Sequence, residues 1–382
     1  MPKKILISVN TAWNLVNFRA GLIHSLISSG FEVIAVAPQD KHVEELELLG
    51  CRYVNIEIDN HGTSLIRDLL LLRHYWLLIK TEKPDLCLFY TVKPNVFGSL
   101  ASAICCIPYI NNVSGLGAVF IQGGLLKRLV SMLYKFAFRK SSRVFFQNSD
   151  DLGLFLESKL VKVEQTDILP GSGVNLHRFT TCNIAARKSL TAPFRFLLIG
   201  RMLRDKGVLE FVNAAQLLKE LGVEAEFCLL GSFDLQNPAA ISSEKIKEWT
   251  IQGYVKYLGV SNDVREQIAL SDCIVLPSYR EGTPRSLLEA GAMGKPIITT
   301  RVVGCQDVVE HGVNGFLCEV KNAQDLALKM KEMLLLSEDQ RKLMGQRGRL
   351  KIEKKFDEQI VIQKYLKDIE VALRDFPLTR NI

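Results

Sequence analysis

Short, continuous apolar runs alternate with longer amphipathic segments along almost the whole chain. Such runs, which lack polar alternation, are typical of strands buried on both faces of a parallel sheet. The first half contains five of them, at residues 5–9, 32–37, 85–91, 109–113 and 143–147. A second series begins after Pro193, at residues 194–200, 226–230, 256–258, 273–277 and 296–300. Because the pattern restarts, the sequence predicts two α/β domains, each with a parallel sheet covered by helices.

The boundary between the two domains follows from the same pattern. Residues 180–193 are poor in apolar side chains and lie between two strand signals, which is typical of a linker. We therefore predict an N-terminal domain at residues 1–182 and a C-terminal domain at residues 183–355. The pattern is helical beyond about residue 322, and we expect residues 356–382 to form a C-terminal helix that packs back on the N-terminal domain.

Composition and charge exclude several classes of protein. The 382 residues carry 48 Lys and Arg against 41 Asp and Glu, and the surplus of +7 is too small for a dedicated nucleic-acid-binding protein. Its sign favours an anionic substrate or an anionic membrane surface. Nine scattered cysteines without a C-x-x-C motif indicate reduced thiols in the cytoplasm rather than disulfides or a zinc site. The most apolar stretch, residues 96–110, is shorter than the ~20 residues that span a bilayer, so no transmembrane helix is expected.

The loops that follow the strands of an open parallel sheet are the expected ligand-binding positions. In the first domain, residues 10–19 form a polar and aromatic segment that we interpret as a loop leading into a helix. It lacks the G-x-G-x-x-G fingerprint of a nicotinamide dinucleotide fold. Asn14 and Arg19 are candidates for hydrogen bonds to an anionic or sugar ligand. The alternative is a plain connection with Trp13 packed inward.

A second candidate loop follows the first strand of the C-terminal domain. Gly200 lets the backbone approach a ligand, and Arg201 and Lys206 place two cations near the start of a helix predicted at residues 208–219. This arrangement suits a diphosphate that is bound without a metal ion. A solvated basic turn is the alternative.

The third candidate loop carries two glutamates around a helix start. Thr283 is a good N-cap residue and Pro284 suits the first helical position. Glu281 then precedes the helix and Glu289 lies on it. Two carboxylates flanking an anion suit the hydroxyls of a nucleotide-sugar, whereas the alternative is an unrelated pair of a surface glutamate and a helix-face glutamate. The backbone N–H groups that we expect to face the anion belong to Arg285, Ser286 and Leu287.

Together these motifs resemble glycosyltransferase family 4, whose members are retaining enzymes with the GT-B fold. The resemblance spans nearly the whole chain and rests on Gly200-Arg201 with Lys206-Gly207, the pair Glu281 and Glu289, Gly304 and residues 312–317. Further segments resemble the bacterial subgroup that transfers sugars, often N-acetylhexosamines, to undecaprenyl-diphosphate-linked glycans, N-acetylgalactosaminyltransferases included. These segments are residues 14–19, 91–95, 114–117 and 170–175.

The resemblance implies a fold and an activity for the whole chain. The fold is α/β, with two Rossmann-like parallel-sheet domains and a cleft between them. The activity is transfer of a hexose or N-acetylhexosamine from a UDP-sugar to a lipid-linked saccharide in bacterial glycan, O-antigen or capsule assembly. No metal cofactor is expected, because the histidines have no metal-ligand spacing and a D-x-D motif is absent from the sequence. The alternatives are a nucleotide-sugar epimerase or phosphorylase of the same fold, and a catalytically silent membrane-bound scaffold.

The resemblance also implies roles for single residues. Arg201 and Lys206 would bind the donor diphosphate, and Glu281 the transferred sugar near its reacting carbon. The ribose and uridine would be bound around Glu289, Gly231 and Leu258. One position departs from the family, because many members have a histidine after the strand at residues 109–113, where this sequence has serine. The residues that would fill this space, on the acceptor or donor-sugar side, are Lys93, Asn112 and Ser114.

Residues 125–140 form a predicted amphipathic helix. Its apolar face comprises Leu125, Leu126, Leu129, Val130, Met132, Leu133, Phe136 and Ala137. Its basic face comprises Lys127, Arg128, Lys135 and Arg139. With Lys140 and Arg143 the stretch has six basic residues and no acidic one, so anionic lipid would attract it and hold the protein on the inner face of the cell membrane. An ordinary sheet-covering helix with a solvated basic side is the alternative.

Overall fold

The computed structural model describes residues 2–60, 62, 64–115, 124–181 and 192–376. The chain divides into two compact units, one comprising Met1–Ser172 with Glu358–Ile382 and the other comprising Gly173–Asp357. This division falls earlier in the chain than the predicted boundary between residues 182 and 183, which lie outside the described residues.

Seven parallel strands form the sheet of the first unit within its described residues. They are β1 (Lys4–Ser8), β2 (Glu32–Ala37), β3 (Arg52–Asn55), β4 (Leu86–Tyr90), β5 (Tyr109–Val113), β6 (Arg143–Phe146) and β7 (Thr166–Ile168). Their order is β3-β2-β1-β4-β5-β6-β7, and Ile5 of β1 pairs with Val33 of β2 and Leu86 of β4. The sequence pattern missed β3 and β7. Both are short edge strands with incompletely buried side chains, so neither has a continuous apolar run.

Helices cover both faces of this sheet. They are α1 (Ala12–Ser28), α2 (Val43–Leu48), α3 (Leu65–Glu82), α4 (Ser99–Ile104), which continues a π-helical turn at Pro94–Gly98, α5 (Gly124–Phe138) and α6 (Ser149–Glu157). The prediction of a loop at residues 10–19 is wrong, because α1 already begins at Ala12. The Thr11 hydroxyl caps it by accepting a hydrogen bond from the Asn14 amide at 3.2 Å. Trp13 is not packed inward but is 43% exposed.

The second unit has a six-stranded parallel sheet within its described residues. Its strands are β8 (Phe194–Ile199), β9 (Ala225–Leu230), β10 (Lys256–Tyr257), β11 (Cys273–Leu276), β12 (Ile297–Thr300) and β13 (Gly315–Cys318), in the order β10-β9-β8-β11-β12-β13. The sequence pattern missed only the short edge strand β13. The helices are α7 (Val208–Glu220), α8 (Ser243–Ile251), α9 (Arg265–Leu270), α10 (Arg285–Ala292), α11 (Cys305–Val308), α12 (Ala323–Leu335) and α13 (Glu338–Lys355).

The last helix, α14 (Glu358–Asp375), packs on the first unit. Its buried Tyr365 accepts a hydrogen bond at 3.0 Å from the Asn112 side chain of β5. Asp368 pairs with Arg143 at 2.9 Å, which ties the helix to β6. Among the described residues, no helix combines the length and apolar character needed to cross a membrane.

Candidate active site

The loop after β8 brings Lys206 against the loop after β11. Lys206 ends a 3₁₀ turn, and the following Gly207 has φ of +73°. A Cβ atom on Gly207 would lie 2.1 Å from the Pro277 carbonyl oxygen, so both the backbone conformation and the close approach require glycine. The Tyr279 amide also donates to the Asp205 carbonyl at 2.9 Å. These contacts fix the two loops together.

Lys206 and Glu281 form an ion pair at this junction. The Lys206 Nζ donates to Oε1 of Glu281, and the Ser278 hydroxyl donates to the same oxygen at 2.6 Å. Both charged side chains are mostly buried. The alternative of a solvated basic turn is therefore wrong for Lys206. Arg201 is more exposed and donates to Asp234 at 2.7 Å, so each predicted phosphate-binding cation has a carboxylate partner.

The loop after β12 closes the other side of Glu281. The Glu281 amide donates to the Val303 carbonyl at 3.2 Å. Gly304 has φ of +79°, and a Cβ atom there would lie 2.1 Å from the Gly282 carbonyl oxygen. Backbone contacts on two sides thus hold the Glu281 carboxylate in a defined position.

Helix α10 begins one residue later than predicted. Pro284, not Thr283, occupies the N-cap position, and proline has no side-chain group that could cap the helix. The Leu287 amide donates to the Pro284 carbonyl at 3.1 Å and so closes the first turn. The Leu287 amide is therefore used within the helix and does not face outward as expected. The other two predicted donors, the amides of Arg285 and Ser286, come before it in the first turn.

The Glu289 side chain of α10 is held by Arg285, one turn earlier on the same helix. Arg285 donates to Glu289 at 3.0 Å and to the Gly173 carbonyl at 2.9 Å. Burial raises the pKa of the Glu289 carboxyl, the charges of Arg285 and Arg178 oppose that shift, and Asp263 adds to it. Glu289 is therefore a buried, oriented carboxyl group rather than an incidental surface glutamate.

The ends of β8, β9 and β10 meet at the predicted uridine position. Gly231 has φ of +148°, and a Cβ atom there would lie 1.9 Å from the Gly200 carbonyl oxygen. Its amide donates to the Gly259 carbonyl at 2.9 Å, and the Leu258 amide donates to Leu229 at 2.8 Å. Backbone contacts therefore hold the carboxyl ends of these three strands together.

The candidate ligand-binding residues of the first unit differ in how far they are buried. Arg19 is buried, with its guanidinium 4.3 Å from the centroid of the Tyr90 ring, and Asn112 is buried against Tyr365. The structure turns both into the core, so it does not present them as a ligand surface. Lys93 pairs with Asp68 at 2.7 Å. Lys93 remains partly exposed, as do Asn14 and Ser114.

Sequence reasoning missed three polar residues that shape the site. Ser278 binds Glu281, Asp234 binds Arg201, and Arg178 acts on Glu289 through its charge. The available signal was position, because Ser278 and Asp234 follow β11 and β9 by a few residues. Across the described residues, no three or more His, Cys, Asp or Glu side chains are grouped so as to hold a metal ion.

The two α/β units with parallel sheets, and the solved structures that share them, place the chain in the GT-B fold class of glycosyltransferases. Residues 183–351 match the family described as Glycosyl transferases group 1, and residues 4–148 match Glycosyl transferase 4-like. The chain belongs to this glycosyltransferase family. That assignment supports glycosyl transfer and not an epimerase, a phosphorylase or a silent scaffold.

Two curated relatives and one solved structure are informative. The chain is 30% identical, over 93% of its length and 95% of the relative, to the N,N'-diacetylbacillosaminyl-diphospho-undecaprenol alpha-1,3-N-acetylgalactosaminyltransferase of Campylobacter jejuni. It is 26% identical, over 68% of each chain, to the UDP-Gal:alpha-D-GlcNAc-diphosphoundecaprenol alpha-1,3-galactosyltransferase of Escherichia coli. The crystal structure of Anabaena Alr3699/HepE in complex with UDP has a similar fold. Its TM-score is 0.77 at 18% identity, over 97% of this chain and 100% of that one.

Proposed function

We propose that the protein transfers a hexose or N-acetylhexosamine from a UDP-sugar to a saccharide linked to undecaprenyl diphosphate, with retention at the anomeric carbon. The observation that carries the proposal is the Lys206–Glu281 pair, which Ser278 supports. With Arg201 in the same loop as Lys206, a carboxylate and two cations follow the strands of one sheet edge. The names of the Campylobacter and Escherichia relatives support the lipid-linked acceptor. The UDP complex of the Anabaena protein supports the nucleotide.

The proposed reaction breaks the bond between the anomeric carbon and the diphosphate oxygen. The acceptor oxygen bonds to the same face of that carbon, and the leaving diphosphate takes the hydroxyl proton. Arg201 and Lys206 exchange their carboxylate partners for the diphosphate, whose negative charge increases in the transition state. Glu281 accepts two hydrogen bonds on Oε1, which reduces its nucleophilicity. We therefore assign it to orienting and electrostatically supporting the sugar.

A transfer assay tests this function. UDP-GalNAc, UDP-GlcNAc, UDP-Gal and UDP-Glc are first screened by thermal shift, and the stabilising donor is then incubated with a polyprenyl-diphosphate-linked saccharide. The expected products are UDP and an extended glycan whose new linkage has the α configuration of the donor by NMR. Donor turnover that is independent of acceptor, or a β linkage, would contradict the proposal.

Activity is expected to survive excess EDTA. The proposed diphosphate contacts come from Arg201 and Lys206, whose charges compensate the leaving group in place of a divalent cation. Initial rates with and without EDTA, measured in one preparation, check this expectation. A full loss of activity that Mg²⁺ or Mn²⁺ restores would show that the two side chains are insufficient.

We also propose that α5 holds the protein on an anionic membrane surface, at the inner face of the cell membrane. Arg128, Lys135 and Arg139 are exposed. The buried positions of the helix include Tyr134, Ala137 and Phe138. Three residues of the predicted apolar face, Leu129, Met132 and Phe136, are also exposed, so basic and apolar groups share the accessible surface. Arg143 does not contribute, because it pairs with Asp368.

Replacing Lys127, Arg128, Lys135 and Arg139 by glutamine is expected to weaken binding to anionic vesicles. Each basic residue near such a surface contributes about 1 kcal/mol, and salt screens that contribution. Vesicle sedimentation at low and high salt measures the effect. Transfer to a long-chain lipid acceptor should slow, whereas transfer to a short soluble analogue should not. An equal loss with both acceptors would make α5 a structural part of the acceptor site instead.

A further inference from the structure

The first two turns of α3 expose a cluster of large apolar side chains. Leu65, Ile66 and Leu69 are 68%, 73% and 66% exposed, and Leu70 is nearly half exposed. We call these four residues the α3 patch. They occupy one side of the helix, roughly opposite the buried positions Leu71, Tyr75 and Ile79. Water contact at four adjacent apolar side chains is unfavourable, and such a patch marks an interaction surface.

The charges around the α3 patch favour an anionic, apolar partner. The helix has two acidic residues, and both are paired, Asp68 with Lys93 at 2.7 Å and Glu82 with Arg52. Further along the patch side, Arg73 and Lys80 are exposed. Basic side chains beyond an apolar surface are typical of helices that lie at a membrane interface, where the long stems reach up to the headgroups.

The neighbouring helices also carry exposed apolar side chains. Helix α3 packs on α4, and α4 packs on α5. Exposed apolar side chains occur on each of these, namely Ile104 at the end of α4 and Leu129, Met132 and Phe136 on α5. Three neighbouring helices therefore each expose apolar side chains, and α3 and α5 expose basic ones as well. An ordinary helix that covers a sheet and faces water does not need exposed apolar side chains.

We propose that the α3 patch inserts into the acyl region of the bilayer and forms an apolar contact in addition to the basic helix α5. The patch consists of side chains that project from one helix face, which suits insertion among lipid chains rather than capture of one polyprenyl chain in a groove. The proposal rests on the proposed function, since it gives an enzyme with a membrane-embedded acceptor a second, salt-resistant attachment.

The test compares two double variants of the full chain. Ile66→Gln/Leu69→Gln changes the patch, and Leu221→Gln/Ile251→Gln is the control, because Leu221 and Ile251 in the second unit are 69% and 76% exposed. The probe is sedimentation with phosphatidylcholine/phosphatidylglycerol vesicles that contain no polyprenyl lipid, at high salt. We expect the patch variant to partition about tenfold or more weakly than wild type and the control variant to bind like wild type. Ile66→Val/Leu69→Met, which keeps apolar side chains, should restore most of the binding.

Several results would overturn the proposal. Unchanged binding of the patch variant would do so, and so would a requirement for polyprenyl diphosphate in the vesicles, which would assign the patch to the acceptor tail. An equal loss of transfer to a short soluble acceptor would assign the patch to the acceptor site or to the fold. Vesicle binding is measured without donor or acceptor. Its result therefore tests the α3 patch even if the protein fails to transfer a sugar.

Discussion

Replacing Lys206 by alanine is expected to lower kcat by about 10²- to 10³-fold, since it removes a charge-assisted contact to a leaving group whose charge grows in the transition state. Lys206 lies where two loops are fixed by backbone contacts, so its ammonium group is positioned before the donor binds. The variant also leaves Glu281 with Ser278 but without its cation, which places a negative charge beside the diphosphate. Arg201→Ala should act in the same direction, because it removes the second cation.

A matched control is available on the same sheet. Lys256 pairs with Glu226 at 3.3 Å, so Lys256→Ala also removes one cation from an ion pair, at a position without a proposed donor contact. It should retain wild-type kcat. Steady-state kinetics at saturating donor, with thermal unfolding to confirm the fold of each variant, measure the difference. A Lys206→Ala enzyme with near wild-type kcat would refute the diphosphate assignment.

Glutamine substitutions at Glu281 and Glu289 are expected to change different kinetic constants. Glu281→Gln should lower kcat by about 10²-fold, because it removes the negative charge that supports the reacting sugar in the transition state. Glu289→Gln should mainly raise KM for the donor, since a ribose contact is made in the ground state and the transition state alike. Glutamine preserves the shape of each side chain, so the change is largely one of charge.

Initial rates over a donor series give kcat and KM for both variants. Donor affinity measured by titration without acceptor should fall for Glu289→Gln more than for Glu281→Gln. If both variants show the same pattern, or if Glu281→Gln is as active as wild type, the division of roles is wrong.

The sequence predicted the central strands well and the edges poorly, for a physical reason. A strand buried on both faces must be apolar at nearly every position, as in β4, whereas β3, at the sheet edge, tolerates Arg52 and Asn55. The start of α1 was placed too late because its first turns carry Asn14, Asn17 and exposed Trp13, which resemble a loop in composition. The structure shows Thr11, a favourable N-cap residue type, at the true start.

The candidate site was predictable in its residue types but not in its pairings. Lys206 and Glu281 are 75 positions apart, and no periodicity relates them. Their contact follows from the adjacency of β8 and β11 in the sheet. In the first unit, the loop-end argument selected Arg19 and the family resemblance selected Asn112, and the fold buries them beside Tyr90 and Tyr365. Residue type alone does not tell which side of a strand end a polar group occupies.

Because α14 belongs to the first unit, the ribosome synthesises the last part of that unit after the whole second unit. Tyr365 fills part of that unit's core, against Tyr90 and Phe145, and Asn112 bonds to its hydroxyl. The N-terminal unit, although synthesised first, therefore lacks a piece of its interior until residues 358–375 emerge. The second unit has its whole sequence by residue 357, before the last helix is synthesised. An interruption of translation within the last helix would thus release a chain with every residue of the second unit but without part of the core of the first.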